Sequence, residues 1–259
     1  MKKWLSLLIQ PGEKVFYVLL FLFFLILGIS SGSEAYLPII GSVDTPGRAW
    51  SIDISGDYAY IGDMNKGIQI VNISDQNNPA IVGSLDMPDF VFDVDVSGNY
   101  AYIANGMKGL QVINVEATEK PFIIGSADTS GYAVGVFVSG NYAYLADGHR
   151  GVTLIDVSEP ENPSIISRIS TDGWAKNVYV SGNYAYIADS YKGLKVIDVK
   201  DPENPLIVSS LSTQGWAKGV SVSGIYAYVA DGNGGLQVID VSVPEKPIIL
   251  GSVKTSYFA

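Results

Sequence analysis

The sequence contains no cysteine and a single histidine among its 259 residues. Without thiols there is no disulfide, no thiolate metal site and no cysteine nucleophile, and the lone imidazole of His149 cannot furnish a multi-histidine metal centre. Positive charge is also scarce: 16 Lys and Arg stand against 26 Asp and Glu, for a formal net charge of −10, and no basic run exceeds Lys2-Lys3. That balance excludes a protein that tracks nucleic-acid phosphates, which needs clustered cations. Carboxylates are plentiful, yet none stands apart from the regular pattern described below as an acid and base pair would. With 47% hydrophobic and 16% charged residues the chain can bury a core, and it must hold that core by packing and strand pairing.

One long hydrophobic run exists, residues 15–29 (VFYVLLFLFFLILGI), preceded by Lys2, Lys3 and Lys14 and followed by small residues, with Ser33 and Ala35 at cleavage-site spacing. Its 15 residues fall short of the roughly 17–25 of a membrane-spanning helix. Residues 1–35 therefore read as a secretory signal, with a retained N-terminal membrane anchor as the alternative. Residues 36–259 read as an exported domain, extracellular or at the cell surface, that meets a membrane only through the N-terminal segment. Export without cysteine suits a bacterial or archaeal surface better than a disulfide-rich eukaryotic one.

Beyond residue 38 one pattern governs. VSGNYAY occurs unchanged at residues 96–102, 138–144 and 180–186, and as ISGDYAY at 54–60 and VSGIYAY at 222–228. The YAY triplets begin at Tyr58, Tyr100, Tyr142, Tyr184 and Tyr226, a period of 42 residues, and Pro79, Pro121, Pro163, Pro205 and Pro247 keep the same interval. In the fourth copy, WAKNVYV (174–180) and YAYIA (184–188) are β-rich stretches joined by Ser-Gly-Asn, where Gly and Asn supply the left-handed backbone of a tight hairpin. A second turn at Asp189 to Gly193 leads to a third strand, LKVIDV (194–199); Asp201 to Pro205 interrupts, and LIVSSL (206–211) forms a fourth. Each copy is thus a four-stranded antiparallel meander, and the repeated heptapeptide is a strand end, a turn and a strand start.

The third strand carries apolar residues on both faces, Leu110 and Val112 on one and Ile113 and Val115 on the other, so both sides of each sheet are covered. Four-stranded sheets buried on both sides at this period predict a β-propeller; a parallel β-helix has shorter coils and no hairpin reversals. The segments GLKVIDVKDPENP (193–205), GLQVIDVSVPEKP (235–247) and GVTLIDVSEPENP (151–163) resemble the LVIVD repeat of bacterial and archaeal surface proteins, a likeness that runs from Ile39 to Ala259. The resemblance implies an all-β propeller and no defined activity. Copies one and two depart from it at Asn72 and Asn114, where the later copies have Asp156, Asp198 and Asp240.

Before the first copy, residues 39–43 (IIGSV) match a fourth strand, and after the fifth, Phe258-Ala259 aligns with Trp216-Ala217. The expected architecture is five blades plus one extra strand. It derives either from a ring of six or more blades whose sequence stops short, or from a five-bladed ring with a spare edge strand.

Because the first two strands of a blade are antiparallel, the start of one and the end of the other share a rim. That rim gathers Arg48, Trp50, Phe90, Phe92, Tyr132, Trp174, Lys176, Trp216 and Lys218, together with Asp63, Asn105, Asp147, Asp189 and Asp231. Aromatic faces beside hydrogen-bonding groups suit a protein or glycan ligand. The alternative is architectural, with aromatics wedged between blades and Asp residues capping turns. No cofactor is expected; the oxygen-rich turns Asp63-Met-Asn65 and Asp231-Gly-Asn233-Gly have donors for Ca²⁺ but lack the length and terminal Glu of an EF-hand loop. GISSG at 28–32 matches G-x-S-x-G without the strand-to-helix context it requires. The expected role is a non-catalytic binding or scaffold module at the cell surface, with a carbohydrate-active enzyme or a structural spacer as alternatives.

Overall fold

The computed structural model describes residues 38–255; the signal or anchor segment at 1–35 and the GISSG match lie outside the described residues. Each 42-residue copy folds into one four-stranded antiparallel sheet with strands in chain order, giving five blades at residues 51–85, 93–127, 135–169, 177–211 and 219–253. In blade 4 the strands are Asn177–Ser181, Tyr184–Ala188, Leu194–Asp198 and Leu206–Leu211.

The first turn in every blade has a glycine at φ near +60° (Gly56, Gly98, Gly140, Gly182 and Gly224), as a hairpin with Gly in its first central position requires. The Asn after it in three copies does not adopt positive φ. The third strand ends on an Asx bond in every copy: the side-chain oxygen of Asn72, Asn114, Asp156, Asp198 or Asp240 accepts the N–H two residues on. Asn serves this bond as well as Asp, so the departure of the first two copies from the family letters leaves the geometry unchanged. Between third and fourth strands the register shifts by one residue in every blade, for example between Val196 and Ile197, a bulge that adds twist where the blade is widest.

The first strands of successive blades lie against one another and the fourth strands lie outside. Core clusters fill each gap: Ile68 and Ile70 of blade 1 meet Ile103 and Ile113 of blade 2, and the same positions join blades 2 and 3, 3 and 4, and 4 and 5. Ala101, Ala143, Ala185 and Ala227 of the later YAY triplets are buried at these contacts, where a small side chain lets sheets approach. Among the described residues no cluster joins blade 5 to blade 1.

Two local expectations differ. The first strand starts later than the β-rich letters at Trp174, because Ala175 bridges to Gly148 of the preceding blade instead of pairing within its own sheet. Residues 39–43 are not strand, since among the described residues no strand pairs with them; they nevertheless pack on blade 1 through Val43.

Candidate functional site

The rim predicted from the sequence forms as two layers with different chemistry. The upper layer is aromatic and basic. The Arg48 guanidinium lies over the Trp50 ring, 4.9 Å from its centroid. Trp50 meets Phe92 edge-on at 6.4 Å, and Phe92 also contacts Phe90 at 6.2 Å and Tyr132 at 5.3 Å. These residues form one arc across blades 1–3. A second arc leads into blades 4 and 5: Lys176 Nζ sits 5.1 Å from the Trp174 centroid, the exposed ring of His149 from the second turn of blade 3 packs against Trp174 at 5.7 Å, and Trp216 projects with 67% of its surface exposed. Burial, and then the neighbouring Lys218 charge, lowers the Lys176 pKa below the ordinary lysine value.

The acids of the predicted set lie beneath that surface, at 0% exposure, as latches. Each holds the loop that delivers the chain into its blade. Asp63 accepts the Thr45 hydroxyl at 2.8 Å and the Gly47 N–H at 2.7 Å; Asp147 accepts Thr129 at 2.9 Å and Thr153 at 3.2 Å; Asp189 accepts Thr171 at 2.7 Å; Asp231 accepts Thr213 and, at 2.8 Å, the Gly215 N–H. Burial raises the Asp147 and Asp189 pKa values despite these bonds. Copy two changes both partners: Met87 stands where the others have Thr, and Asn105 donates to the carbonyls of Asp89 at 2.7 Å and Phe90 at 3.1 Å. With no hydroxyl to accept from, an amide that can donate replaces the carboxylate. The latch also explains the Ca²⁺-like turns, whose Asp63 and Asp231 oxygens point into the loops they hold.

A third group was missed by reading motifs. The first strands expose an inner edge of unpaired N–H groups, and side chains of the preceding blade cover it. Asp53 accepts Val96 N–H at 2.8 Å, Asp93 accepts Val136 N–H at 3.1 Å, Asp95 accepts Val138 N–H, and Asn177 accepts Val220 N–H at 3.0 Å. Where blade 3 offers Phe137 to blade 4, the pair is aromatic instead, Phe137 on Tyr179 at 4.8 Å. Burial pushes the Asp93 carboxyl up to about 7, with Asp95 and Asp53 adding repulsion against the two N–H donors that favour ionisation. The available signal was Asp at alternate positions inside FDVDV, a residue type that strands disfavour unless it has work there.

Elsewhere, a groove of about 420 Å³ on the outer edge between blades 3 and 4 is lined by Tyr142, Asp156, Ile165, Asp201 and Glu203, well apart from the rim.

The LVIVD repeat pattern matches five times, at residues 46–87, 91–129, 130–171, 172–213 and 214–255. No curated protein matches the chain. Among solved structures, a protein of unknown function from Desulfotomaculum acetoxidans superposes with TM-score 0.74 at 14% identity, covering 86% of this chain and 75% of that one. A candidate 6-phosphogluconolactonase from Bacteroides uniformis superposes at 0.70 with 14% identity, covering 84% and 75%. The computationally designed protein Ika8 superposes at 0.65 with 10% identity over 82% of this chain, which spans only 63% of the designed one. At such identities these likenesses concern the fold alone.

Proposed function

The chain belongs to the LVIVD-repeat family, and from that premise we propose that it is an exported, non-catalytic binding module that offers the rim of its blades to a protein or glycan partner at the cell surface. The observation that carries this reading is the separation of the two layers. Trp216, at 67% exposure, Phe90, at 43%, and Arg48 face solvent, while the acids below them are occupied in holding loops. Exposed rings on a rigid frame supply apolar contact area at low entropic cost, and Lys176 and Lys218 add hydrogen-bond donors and local positive charge to a domain that is otherwise acidic. Catalysis finds less support, because Asp63, Asp147, Asp189 and Asp231 are bonded to their own blades, away from the surface where a substrate would rest.

Screening residues 36–259 against glycan and peptide arrays, followed by titration of any hit, tests the proposal. Trp216→Ala is expected to weaken binding at least about tenfold, the loss of one aromatic anchor, with thermal stability unchanged. Retention of full affinity by both Trp216→Ala and Trp174→Ala removes the rim from consideration.

A further inference from the structure

In each seam the left-handed residue of one blade's second turn bridges to the residue just after a rim aromatic of the next: Met64 beside Phe90, Gly106 beside Tyr132, Gly148 beside Trp174 and Ser190 beside Trp216. The two rings that meet glycine are half-buried. The two that meet a side-chain-bearing residue stand out, Phe90 at 43% and Trp216 at 67% exposure.

The seam between blades 3 and 4 shows why. The Trp174 ring lies so closely on its turn that a Cβ on Gly148 would be 3.0 Å from Cε2, 3.1 Å from Cζ2 and 3.2 Å from Nε1, and His149 packs on the same ring. The indole Nε1 is thereby buried with no hydrogen-bond partner. In the next seam Ser190 has the Cβ that Gly148 lacks, so an indole has no room to lie down there. Tyr191, in the place of His149, donates its hydroxyl to the Asp172 carbonyl at 3.1 Å, and Trp216 makes no ring contact among the described residues. Ser190 is itself held at φ +52°, a conformation that costs a residue with a side chain and that persists where it serves a site.

The charge beside the raised ring is positive. Lys176 and Lys218 hold equivalent places at the heads of adjacent first strands, and burial, then the Lys218 charge, lowers the Lys176 pKa. An anion set between them relieves that repulsion. Asp172, exposed on the same rim, pairs with Lys195 at 3.6 Å. The backbone offers no open edge for strand addition by a peptide, because the N–H groups of Trp216, Ala217 and Lys218 donate to the Asp231, Ser190 and Ala230 carbonyls. A pyranose ring, apolar on its C–H face and polar round its edge, needs only an open indole and donors beside it.

We propose, on the premise that the rim binds a partner, that the seam between blades 4 and 5 is a site for an acidic glycan. A sugar ring stacks on Trp216, its carboxylate or sulfate lies between Lys176 and Lys218, and Ser190 is the positioning residue that keeps the indole upright.

The probes are tetragalacturonate, its neutral methyl ester and a sulfated galactan tetrasaccharide, each titrated into the full chain. One of the two anionic oligomers is expected to bind at least about tenfold tighter than the ester at low salt, and its identity distinguishes carboxylate from sulfate. Lys176→Ala combined with Lys218→Ala is expected to erase that preference, and Trp216→Ala to weaken binding about tenfold. Ser190→Gly, which lets the indole fold onto the turn as Trp174 does, is expected to weaken binding about fivefold and to reduce quenching of tryptophan fluorescence by acrylamide. Ser190→Ala, which keeps the Cβ, is expected to match the parent in both. Full affinity and unchanged quenching in Ser190→Gly overturn the positioning role. No binding of either anionic oligomer, equal affinity for the ester, or tighter binding of a tetraglutamate peptide overturns the acidic glycan. The rim reading stands or falls separately, on whether Trp216→Ala and Trp174→Ala weaken whatever ligand an array identifies.

Discussion

Blades 4 and 5 carry nearly the same letters and meet different fates. On the trailing flank of blade 4, Leu194 and Val196 are at 0% exposure because blade 5 covers them. On the trailing flank of blade 5, Leu236 and Val238 are only half-buried, and every residue of its outer strand, Ile248–Val253, is exposed. Within a repeat array the letters specify a face, while the neighbour determines how much stability the face contributes. A substitution matched across the two blades separates those contributions.

Leu194→Ala is expected to cost about 3 kcal/mol, the usual result of emptying a sealed aliphatic site. Leu236→Ala, with solvent already beside the side chain, is expected to cost about half that or less. Urea denaturation of both variants measures the difference. Equal losses would show that the flank of blade 5 is as well covered as that of blade 4, and the contrast between the two regions would collapse.

The sealed seams also differ among themselves. Blades 2 and 3 are joined at the axis by Asp93 and Asp95, whereas blade 4 uses Asn177, the residue equivalent to Asp93, for the same bond to blade 5. A carboxyl pushed up to about 7 in the folded chain, from an ordinary value of 3.8, binds its proton more tightly folded than unfolded. Its favourable contribution is therefore complete below about pH 4 and is lost as pH rises toward and through 7. Asp93→Asn keeps an acceptor for Val136 N–H, as Asn177 does for Val220, and removes the ionisation. It is expected to stabilise the protein at pH 8 by on the order of 1 kcal/mol, with the gain vanishing near pH 4. Thermal melts at the two pH values decide the matter; a destabilised variant at pH 8 would mean that the ionised carboxylate, fed by two backbone N–H groups, is the better latch.

Much of this was legible in the sequence, and the reasons are physical. The 42-residue spacing of Tyr58, Tyr100, Tyr142, Tyr184 and Tyr226 gave five sheets, and the strands at 184–188 and 206–211 fall where β-branched and aromatic letters lie between turn residues. The sequence grouped the aromatics and acids on one rim, and the structure separates them into an exposed aromatic layer and acids buried beneath it. Asp147 and Asp189 look like surface acids until Thr129 and Thr171, 18 residues upstream, are brought onto them by the connection between blades. The roles of Asp53, Asp93 and Asp95 depend on which strand is innermost, a property of five copies together that no single copy displays.

The smallest expected effect concerns the bridge that links each second turn to the next blade. The residue there is left-handed in every copy: Met64 (φ 49°), Gly106 (52°), Gly148 (61°), Ser190 (52°) and Gly232 (55°). Ser190 exchanges two backbone hydrogen bonds with Ala217, at 3.1 and 3.0 Å, so the seam between blades 4 and 5 holds a side-chain-bearing residue in a conformation that glycine adopts freely. Ser190→Gly is expected to stabilise the protein by about 0.5–1 kcal/mol, the relief at position 190 exceeding the entropy glycine adds to the unfolded chain. The reciprocal Gly232→Ser, on the flank where no bridge to a following blade is made among the described residues, is expected to cost a similar amount at most, because that turn can relax without breaking a seam. If Ser190→Gly destabilises instead, the serine side chain supports the bridge, and the seam is held by more than backbone pairing and apolar contact.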